Sequence, residues 1–383
     1  MPIRARKVRT GRRLAGPAGL AVLAASMLVA TLAVVAFGRG MVSKGAVRDA
    51  SAARGTIASS TPATSTPVKA AEAALASATA TPAPAPPSRP ATTPPVSHPA
   101  TPAPAPKPAS KPPVTAAAVP SVDAYKGLGS WVDIWEDGAW ANPAATVRNM
   151  KSHGVKTLYL ETANSKSPYA LKDPSAIATF IRTAHANGMK VVAWYLPDMQ
   201  NVNFDFGRVS QAIRFRTSDG QTFDSFALDI ESPVVASQTA RNTQLMALST
   251  RIRNLVGPKY PLGAITPSPV GLSKAGSYWG SFPWASVART YDVIVPMSYY
   301  TYHGDGNVAA YNDTIANMRI LRSKPGCAKI PVHLIGGLAE GSSPSEVKAF
   351  VQATEKSGAV GGSLYSWSGT NPSHWDQLES LAD

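Results

Sequence analysis

The chain has 383 residues and a formal net charge of +14 at pH 7. Fourteen of its 37 Lys and Arg residues lie before Val119, against only Asp49 and Glu72, so residues 1–120 carry about +12 of that charge. The rest of the chain is close to neutral, and the basic balance is therefore no argument for a nucleic-acid partner of the folded part. Because Cys327 is the single cysteine, an internal disulfide is excluded.

The amino-terminal segment has the features of a membrane anchor. Residues 1–13 are basic, and residues 14–37 follow without a charged side chain, which is about the length of 20 residues that a helix needs to cross a bilayer. A basic flank before such a span predicts that the amino end stays in the cytoplasm and the rest is exported. We therefore expect a single-pass protein of the cell membrane. Secretion after cleavage of a signal peptide is the alternative, although the apolar run is long for one.

Residues 38–120 are rich in Pro, Ala and Thr and hold almost no large apolar side chain. Such a composition cannot form a core, and proline-rich chains stay extended at roughly 3.1 Å per residue. We expect a disordered linker that holds a folded domain, residues 121–383, away from the membrane. A disordered tail without that role is the alternative.

Strand and helix patterns alternate eight times in residues 121–383. Eight such units match the (β/α)8 TIM barrel in count and size, whereas a doubly wound sheet would need a glycine-rich phosphate loop after its first strand. The predicted strands are 128–135, 156–161, 190–195, 223–231, 261–266, 292–299, 331–335 and 361–367. The predicted helices lie at about 143–153, 175–187, 208–215, 234–255, 284–290, 310–323, from Ser343 or Ser345, and from His374.

The fourth predicted strand ends in two carboxylates. Side chains on a strand alternate between its two faces, so one face carries the apolar residues and the other becomes small and then acidic. Because barrel active sites lie at the carboxyl ends of the strands, this strand predicts the centre of the site. The residues on its small and acidic face are Ser225, Ala227, Asp229 and Glu231.

Acidic and aromatic side chains dominate the other predicted strand ends. Sugar rings stack on Trp and Tyr, and glycosidic bonds are cleaved by a carboxylic acid beside a second carboxylate or an equivalent nucleophile. The pattern predicts a polysaccharide substrate. The histidines show no metal-binding spacing, so no metal and no cofactor is expected. The candidate substrate-binding residues are Asp133, Trp135, Glu161, Trp194, Asp198, Met297 and Trp367, and Glu161 or Asp133 is also a candidate second carboxylate.

Three short motifs resemble the chitinase-like (family 18) glycoside hydrolases. Residues 224–231, Asp-Ser-Phe-Ala-Leu-Asp-Ile-Glu, are similar to the fourth-strand motif Asp-Gly-x-Asp-x-Asp-x-Glu of that family. Residues 297–300, Met-Ser-Tyr-Tyr, resemble its sixth-strand Met-x-Tyr-Asp, which adds Tyr300 to the candidate substrate contacts. Trp367 ends the eighth strand, where the family has a Trp at the floor of the sugar site.

The resemblance implies a division of roles. Glu231 is expected to be the general acid, Asp229 to orient or stabilise the 2-acetamido group of the substrate, and Tyr299 to steady that group. In this family the acetamido oxygen itself attacks the anomeric carbon. Since adjacent carboxylates raise one pKa, we expect Glu231 to stay protonated and Asp229 to be ionised.

Two departures from the family pattern bear on this mechanism. Ala227 replaces the middle Asp, which shares a proton with its neighbour, and Tyr300 replaces the usual Asp. The core Leu-Asp-Ile-Glu is also similar to the Asp-x-Glu motif of the family 25 lysozymes. That motif does not require an acid at the position of Ala227.

The sequence as a whole predicts a membrane-anchored, extracytoplasmic glycoside hydrolase with a monomeric barrel, acting on an amino-sugar polymer such as a cell-envelope glycan. The alternative is a catalytically inactive barrel that binds glycan and is tethered to the cell wall. Ala227 and Tyr300 favour the alternative. Asp229 and Glu231 disfavour it, because buried carboxylates are costly without partners.

Overall fold

A computed structural model describes residues 120–382. The predicted cytoplasmic segment 1–13, the predicted anchor 14–37 and the predicted linker up to residue 119 lie outside the described residues. Within the described part, none of the helices combines the length and the apolar character that crossing a membrane requires.

Eight parallel strands close into a barrel in chain order, which confirms the predicted (β/α)8 architecture. The last strand closes the ring on the first through the pairs Gly127 with Gly361 and Leu128 with Gly362. The strands are β1 Gly127–Val132, β2 Thr157–Asn164, β3 Lys190–Leu196, β4 Ser225–Asp229, β5 Leu262–Pro267, β6 Val293–Met297, β7 His333–Leu338 and β8 Gly361–Tyr365.

Helices follow every strand and surround the barrel. They are α1 Asp137–Ala141 and α2 Pro143–Ser152 after β1, α3 Pro174–Ala186, α4 Val202–Arg214, α5 Gln238–Val256, α6 Pro269–Leu272 and α7 Trp284–Thr290 after β5, α8 Asn307–Ser323, α9 Pro344–Ser357 and α10 Pro372–Leu378. Ser343 begins α9 with a capping box, because its hydroxyl accepts from the Glu346 N–H while the Glu346 carboxylate accepts from the Ser343 N–H.

The starts of two helices differ from the predicted ones because side-chain caps set them. Helix α4 begins at Val202, not near Arg208, since Asn201 Oδ1 accepts from the N–H groups of Asn203 and Phe204, both at 3.1 Å. Helix α5 begins later than expected, at Gln238, where the Ser237 hydroxyl provides the cap. Residues 234–237, which were predicted to be helical, belong instead to the loop that follows β4.

Several predicted strands end earlier than expected. Strand β1 ends at Val132, β4 at Asp229 and β8 at Tyr365. Asp133, Glu231 and Trp367 therefore lie just beyond their strands, at the beginning of βα loops. In a (β/α)8 barrel these loops build the carboxyl-end face, where ligands bind.

Strand side chains alternate between two buried layers. The inner layer fills the barrel, where the rings of Trp131 and Tyr159 stack at 4.1 Å and Ala227 lies beside Trp194. Phe226, Leu228 and Ile230 of β4 belong to the outer layer between barrel and helices. The alternation predicted for β4 is confirmed.

Tyr125 fills the amino-terminal end of the barrel. It belongs to the 3-10 turn Asp123–Tyr125, and its hydroxyl shares a hydrogen bond of 2.6 Å with Ser225 Oγ. Gly263 leaves the room for this ring, because a Cβ there would lie 2.5 Å from the Tyr125 hydroxyl oxygen. With this end packed, a ligand reaches the acidic end of β4 from the carboxyl-end face.

Candidate functional site

Asp229 and Glu231 form an acid pair at the carboxyl end of β4. Asp229 is only 6% exposed, and its Oδ1 has no hydrogen-bond partner among the described residues. Burial, followed by the charges of Glu231 and Glu161, raises the pKa of Asp229 well above its usual value. Glu231 is partly exposed, and desolvation of its carboxyl raises its pKa to about 7. The pair therefore retains a proton near neutral pH.

The distribution of that proton differs from the expected one. We expected Asp229 to be ionised beside a protonated Glu231. Asp229 is the more deeply buried of the two and has an oxygen without a partner, so in the free protein the proton is held more firmly on Asp229. Glu231 is the more accessible of the pair and is the one that a ligand can reach.

Two further carboxyls come from β2 and the loop after β1. Glu161 is 2% exposed, its oxygens accept from the Ile134 N–H at 3.0 Å and the Asn164 amide at 3.3 Å, and burial raises its pKa to about 8. Asp133 Oδ2 accepts from the Tyr365 hydroxyl at 2.9 Å, and burial raises its pKa too. The charge of Asp133 helps to raise the pKa of Glu161, and the charge of Glu161 helps to raise that of Asp229, so these carboxyls are within electrostatic reach of one another.

Glu136 is a fifth carboxyl of this end that the sequence analysis missed. Its Oε1 accepts from the Ser368 N–H at 3.1 Å, from the Ser368 hydroxyl at 3.0 Å and from the Ser366 hydroxyl, while its Oε2 has no partner among the described residues. Burial raises its pKa to about 7. Glu136 thereby ties the loop after β1 to the loop after β8, which carries Trp367. The signal available in the sequence was an acid directly after Trp135.

Aromatic side chains surround the acid pair. Burial and then the charges of Glu231 and Asp229 raise the pKa of Tyr299, so its hydroxyl lies near both carboxyls. Trp194 is 4% exposed and its Nε1 has no acceptor among the described residues. Tyr278, which the sequence analysis did not single out, donates to the Glu231 carbonyl at 3.0 Å and fixes the backbone after β4. Met297 packs in the inner layer with Tyr299 and Trp194.

Four predicted contacts lie farther from the pair. Tyr300 packs on Phe350 in the outer layer and donates to Ser342 Oγ at 2.9 Å. Asp198 accepts from the Gln200 N–H, and its charge helps to raise the pKa of Asp205, a buried residue of α4. Trp367 packs on Trp375 of α10 at a ring distance of 5.6 Å. The fourth is Trp135, which is 41% exposed at the rim.

The five carboxyls lack a counter-cation in the described part of the chain. Residues 120–382 contain seven ion pairs, and none of them includes one of these five groups. Lys172 is nearby, but its ammonium bonds the Ile134 carbonyl and Asp137. No set of three or more His, Cys, Asp or Glu side chains within the described residues has an arrangement that could hold a metal ion.

No family model and no curated protein matches the sequence. Solved structures share the fold. An endo-β-1,4-mannanase from Thermotoga petrophila is 10% identical over 69% of this chain and 78% of its own, with a TM-score of 0.53. An endo-1,4-β-mannanase from Rhizomucor miehei is 9% identical over 67% and 95%, with a TM-score of 0.51. A class V chitinase from Pseudomonas fluorescens is 10% identical over 67% and 100%, with a TM-score of 0.50. Structural neighbours of this chain are thus glycoside hydrolase TIM barrels, and at these identities the likeness shows the fold alone.

Proposed function

We propose that the protein is a glycoside hydrolase that cleaves an amino-sugar polysaccharide, with Glu231 as its general acid. The observation that carries the proposal is the acid pair at the carboxyl end of β4. Its carboxyls hold a proton near neutral pH because burial raises the pKa of both, to about 7 for Glu231. A carboxylic acid that is protonated at the working pH is the group that protonates a glycosidic oxygen.

The proposed reaction uses the different exposure of the two acids. Glu231, the accessible member, donates its proton to the glycosidic oxygen, and the bond from that oxygen to the anomeric carbon breaks. Positive charge develops on the sugar ring, and the carboxylate that Glu231 becomes when it gives up its proton stabilises that charge. Water adds to the anomeric carbon, and the proton that it releases returns to the acid pair, so one water is consumed for each bond broken.

Tyr299 and Trp194 provide the proposed sugar contacts. The Tyr299 hydroxyl lies near both members of the pair, and the Trp194 indole N–H has no acceptor among the described residues, so a sugar hydroxyl could accept from it. The exposed Trp135 at the rim offers a ring face on which a further sugar unit could stack. The amino-sugar part of the proposal rests on the resemblance of the motifs around Glu231 and Met297.

The proposed location is the cell membrane, with the barrel outside the cytoplasm. This rests on the basic segment 1–13, the uncharged segment 14–37 and the proline-rich linker.

The second candidate function is a glycan-binding barrel without turnover. Ala227 and the outward position of Tyr300 favour it, because both stand where the resembled family has acids.

A substrate panel distinguishes these functions. The full-length protein is incubated with peptidoglycan, chitin oligomers, β-mannan and a plain β-glucan, and reducing ends are counted. Release from an amino-sugar polymer alone supports the proposal, whereas release from β-mannan alone, the polymer class of two structural neighbours, would replace its substrate. Tight binding of a polymer without release would leave the binding barrel as the function.

A further inference from the structure

The carboxyl-end face gathers five carboxyl groups. Each of these carboxyls interacts electrostatically with a neighbour in the group. They come from β2, from β4 and from the loops after β1 and β4, and are Asp133, Glu136, Glu161, Asp229 and Glu231. None of them takes part in an ion pair within residues 120–382. Burying like charges without a partner is costly, so this arrangement favours either bound protons or a cation supplied from outside.

Unpartnered polar atoms of three different residues point to a ligand. Asp229 Oδ1, Glu136 Oε2 and Trp194 Nε1 have no hydrogen-bond partner among the described residues, and each of the three residues is more than nine-tenths buried. Two of these atoms are acceptors and one is a donor. Asp229 and Trp194 belong to the paired strands β4 and β3, so a ligand that satisfies both must combine a donor with an acceptor, as a sugar that bears both an ammonium and hydroxyl groups does.

The cationic side chains near this face, Lys172, Arg208 and Arg241, make hydrogen bonds to groups outside the carboxyl cluster. Lys172 bonds a backbone carbonyl and Asp137, and its charge acts only weakly on Asp133 and Glu161. Arg208 donates to three backbone carbonyls of the loop after β2, and Arg241 donates to three carbonyls of neighbouring loops. These three side chains keep their charge, but only that of Lys172 is among the causes that shift the pKa of a carboxyl in the cluster, so little positive charge opposes a cationic ligand there.

We propose that the substrate carries free amino groups, so that the site takes a cationic, N-deacetylated amino-sugar polymer in preference to its N-acetylated form. This inference rests on the proposed hydrolase function and narrows its substrate. An ammonium gives the carboxyl cluster its missing counter-charge and donates up to three charge-assisted hydrogen bonds, whereas a neutral acetamide gives no counter-charge.

A paired titration tests the inference. The full-length Glu231→Gln protein, which is not expected to turn over, is titrated calorimetrically at pH 6, where most glucosamine amino groups are protonated, with a β-1,4-linked glucosamine hexamer and with the fully N-acetylated hexamer. We expect the glucosamine hexamer to bind at least about tenfold more tightly, the effect of one charge-assisted hydrogen bond. Repeating the titration in two buffers with different ionisation enthalpies counts the protons released. Because the pKa values of Glu136 and Glu161 are about 7 and 8, a bound ammonium drives protons off these groups and a neutral ligand does not.

A charge-removing variant and a matched control locate the effect. Glu136→Gln, made in the same background, keeps the acceptor Oε1 and places an NH2 where Oε2 has no partner, so we expect the preference for the amine to fall severalfold while the fold is kept. Asp133→Asn should act in the same direction. Glu355→Gln removes an exposed carboxylate at the carboxyl end of α9, on the opposite side of the barrel, and should leave the preference unchanged.

The outcomes separate this inference from the function on which it rests. Tighter binding and faster wild-type cleavage of the N-acetylated hexamer would overturn the amine preference and leave the hydrolase standing. Binding of the amine without proton release, or with the same preference in Glu136→Gln and Glu355→Gln, would also overturn it. Failure of both hexamers to bind and of the wild type to cleave either would overturn both proposals together.

Discussion

Replacing Glu161 with Gln tests the electrostatic description of the site through the stability of the protein. Burial raises the pKa of Glu161 from 4.5 to about 8, and the side chain is 2% exposed. The folded state therefore binds more protons than the unfolded state between these values, and stability falls as the pH rises through this window. At about 1.4 kcal/mol per pKa unit, the loss amounts to roughly 5 kcal/mol between pH 4.5 and pH 8 and above.

Glu161→Gln abolishes this pH-dependent loss of stability, but it loses a smaller amount of stability at every pH. Gln keeps one acceptor for the Ile134 or the Asn164 N–H but turns an NH2 towards the other, which costs about 1–3 kcal/mol. Glu161→Gln should thus be less stable than the wild type at pH 5 and more stable at pH 9, by roughly 2–4 kcal/mol there. Urea unfolding followed by tryptophan fluorescence at pH 5, 7 and 9 measures both differences, with the exposed Glu355→Gln as a control. Parallel pH curves for wild type and variant would refute a buried, proton-binding Glu161.

Three further predictions concern Glu231 of the acid pair, Trp367 in the loop after β8, and Tyr125 at the amino-terminal end of the barrel. The value of kcat/KM should fall about tenfold per pH unit above pH 7, as Glu231 loses its proton, and a flat profile from pH 6 to 9 would exclude it as the acid. Trp367→Ala should raise KM for a polymer severalfold with little change in kcat, and an unchanged KM would remove Trp367 from the binding surface. Tyr125→Phe should lower the free energy of unfolding by about 1–2 kcal/mol, because the buried Ser225 hydroxyl loses one hydrogen bond. It should leave kcat unchanged. Equal stability of the two proteins in denaturant titrations would contradict this prediction.

The fold and the acid pair could be predicted because both depend on local periodicity. Each strand of a parallel barrel is a short apolar run, and the period of two on β4 places Ala227 and Asp229 inward and Phe226 and Leu228 outward. Tyr300 lies outside this rule, because β6 ends at Met297 and Tyr300 begins the 3-10 turn Tyr300–Tyr302. Its side chain packs in the outer layer, whereas that of Tyr299 packs against the inner one.

Contacts between distant loops could not be predicted from the sequence. Glu136 meets Ser366 and Ser368 only because β8 closes on β1, which brings together residues 230 or more positions apart. Tyr278 reaches the backbone of Glu231 from an irregular loop with no periodic pattern. Which member of the pair holds the proton depends on how deeply Asp229 and Glu231 are buried. The sequence pattern places both on the same face of the strand and therefore does not predict this difference in burial.

The most direct test of Glu231 as the general acid compares the wild-type protein with Glu231→Gln on the polymer that the wild type cleaves fastest. Reducing-end release is measured at pH 6, where Glu231 is protonated, and polymer binding is measured in parallel. We expect a loss of rate of at least about 100-fold in the variant, the usual contribution of a general acid, with binding retained. Equal rates in the two proteins would contradict the assignment of Glu231 as the acid.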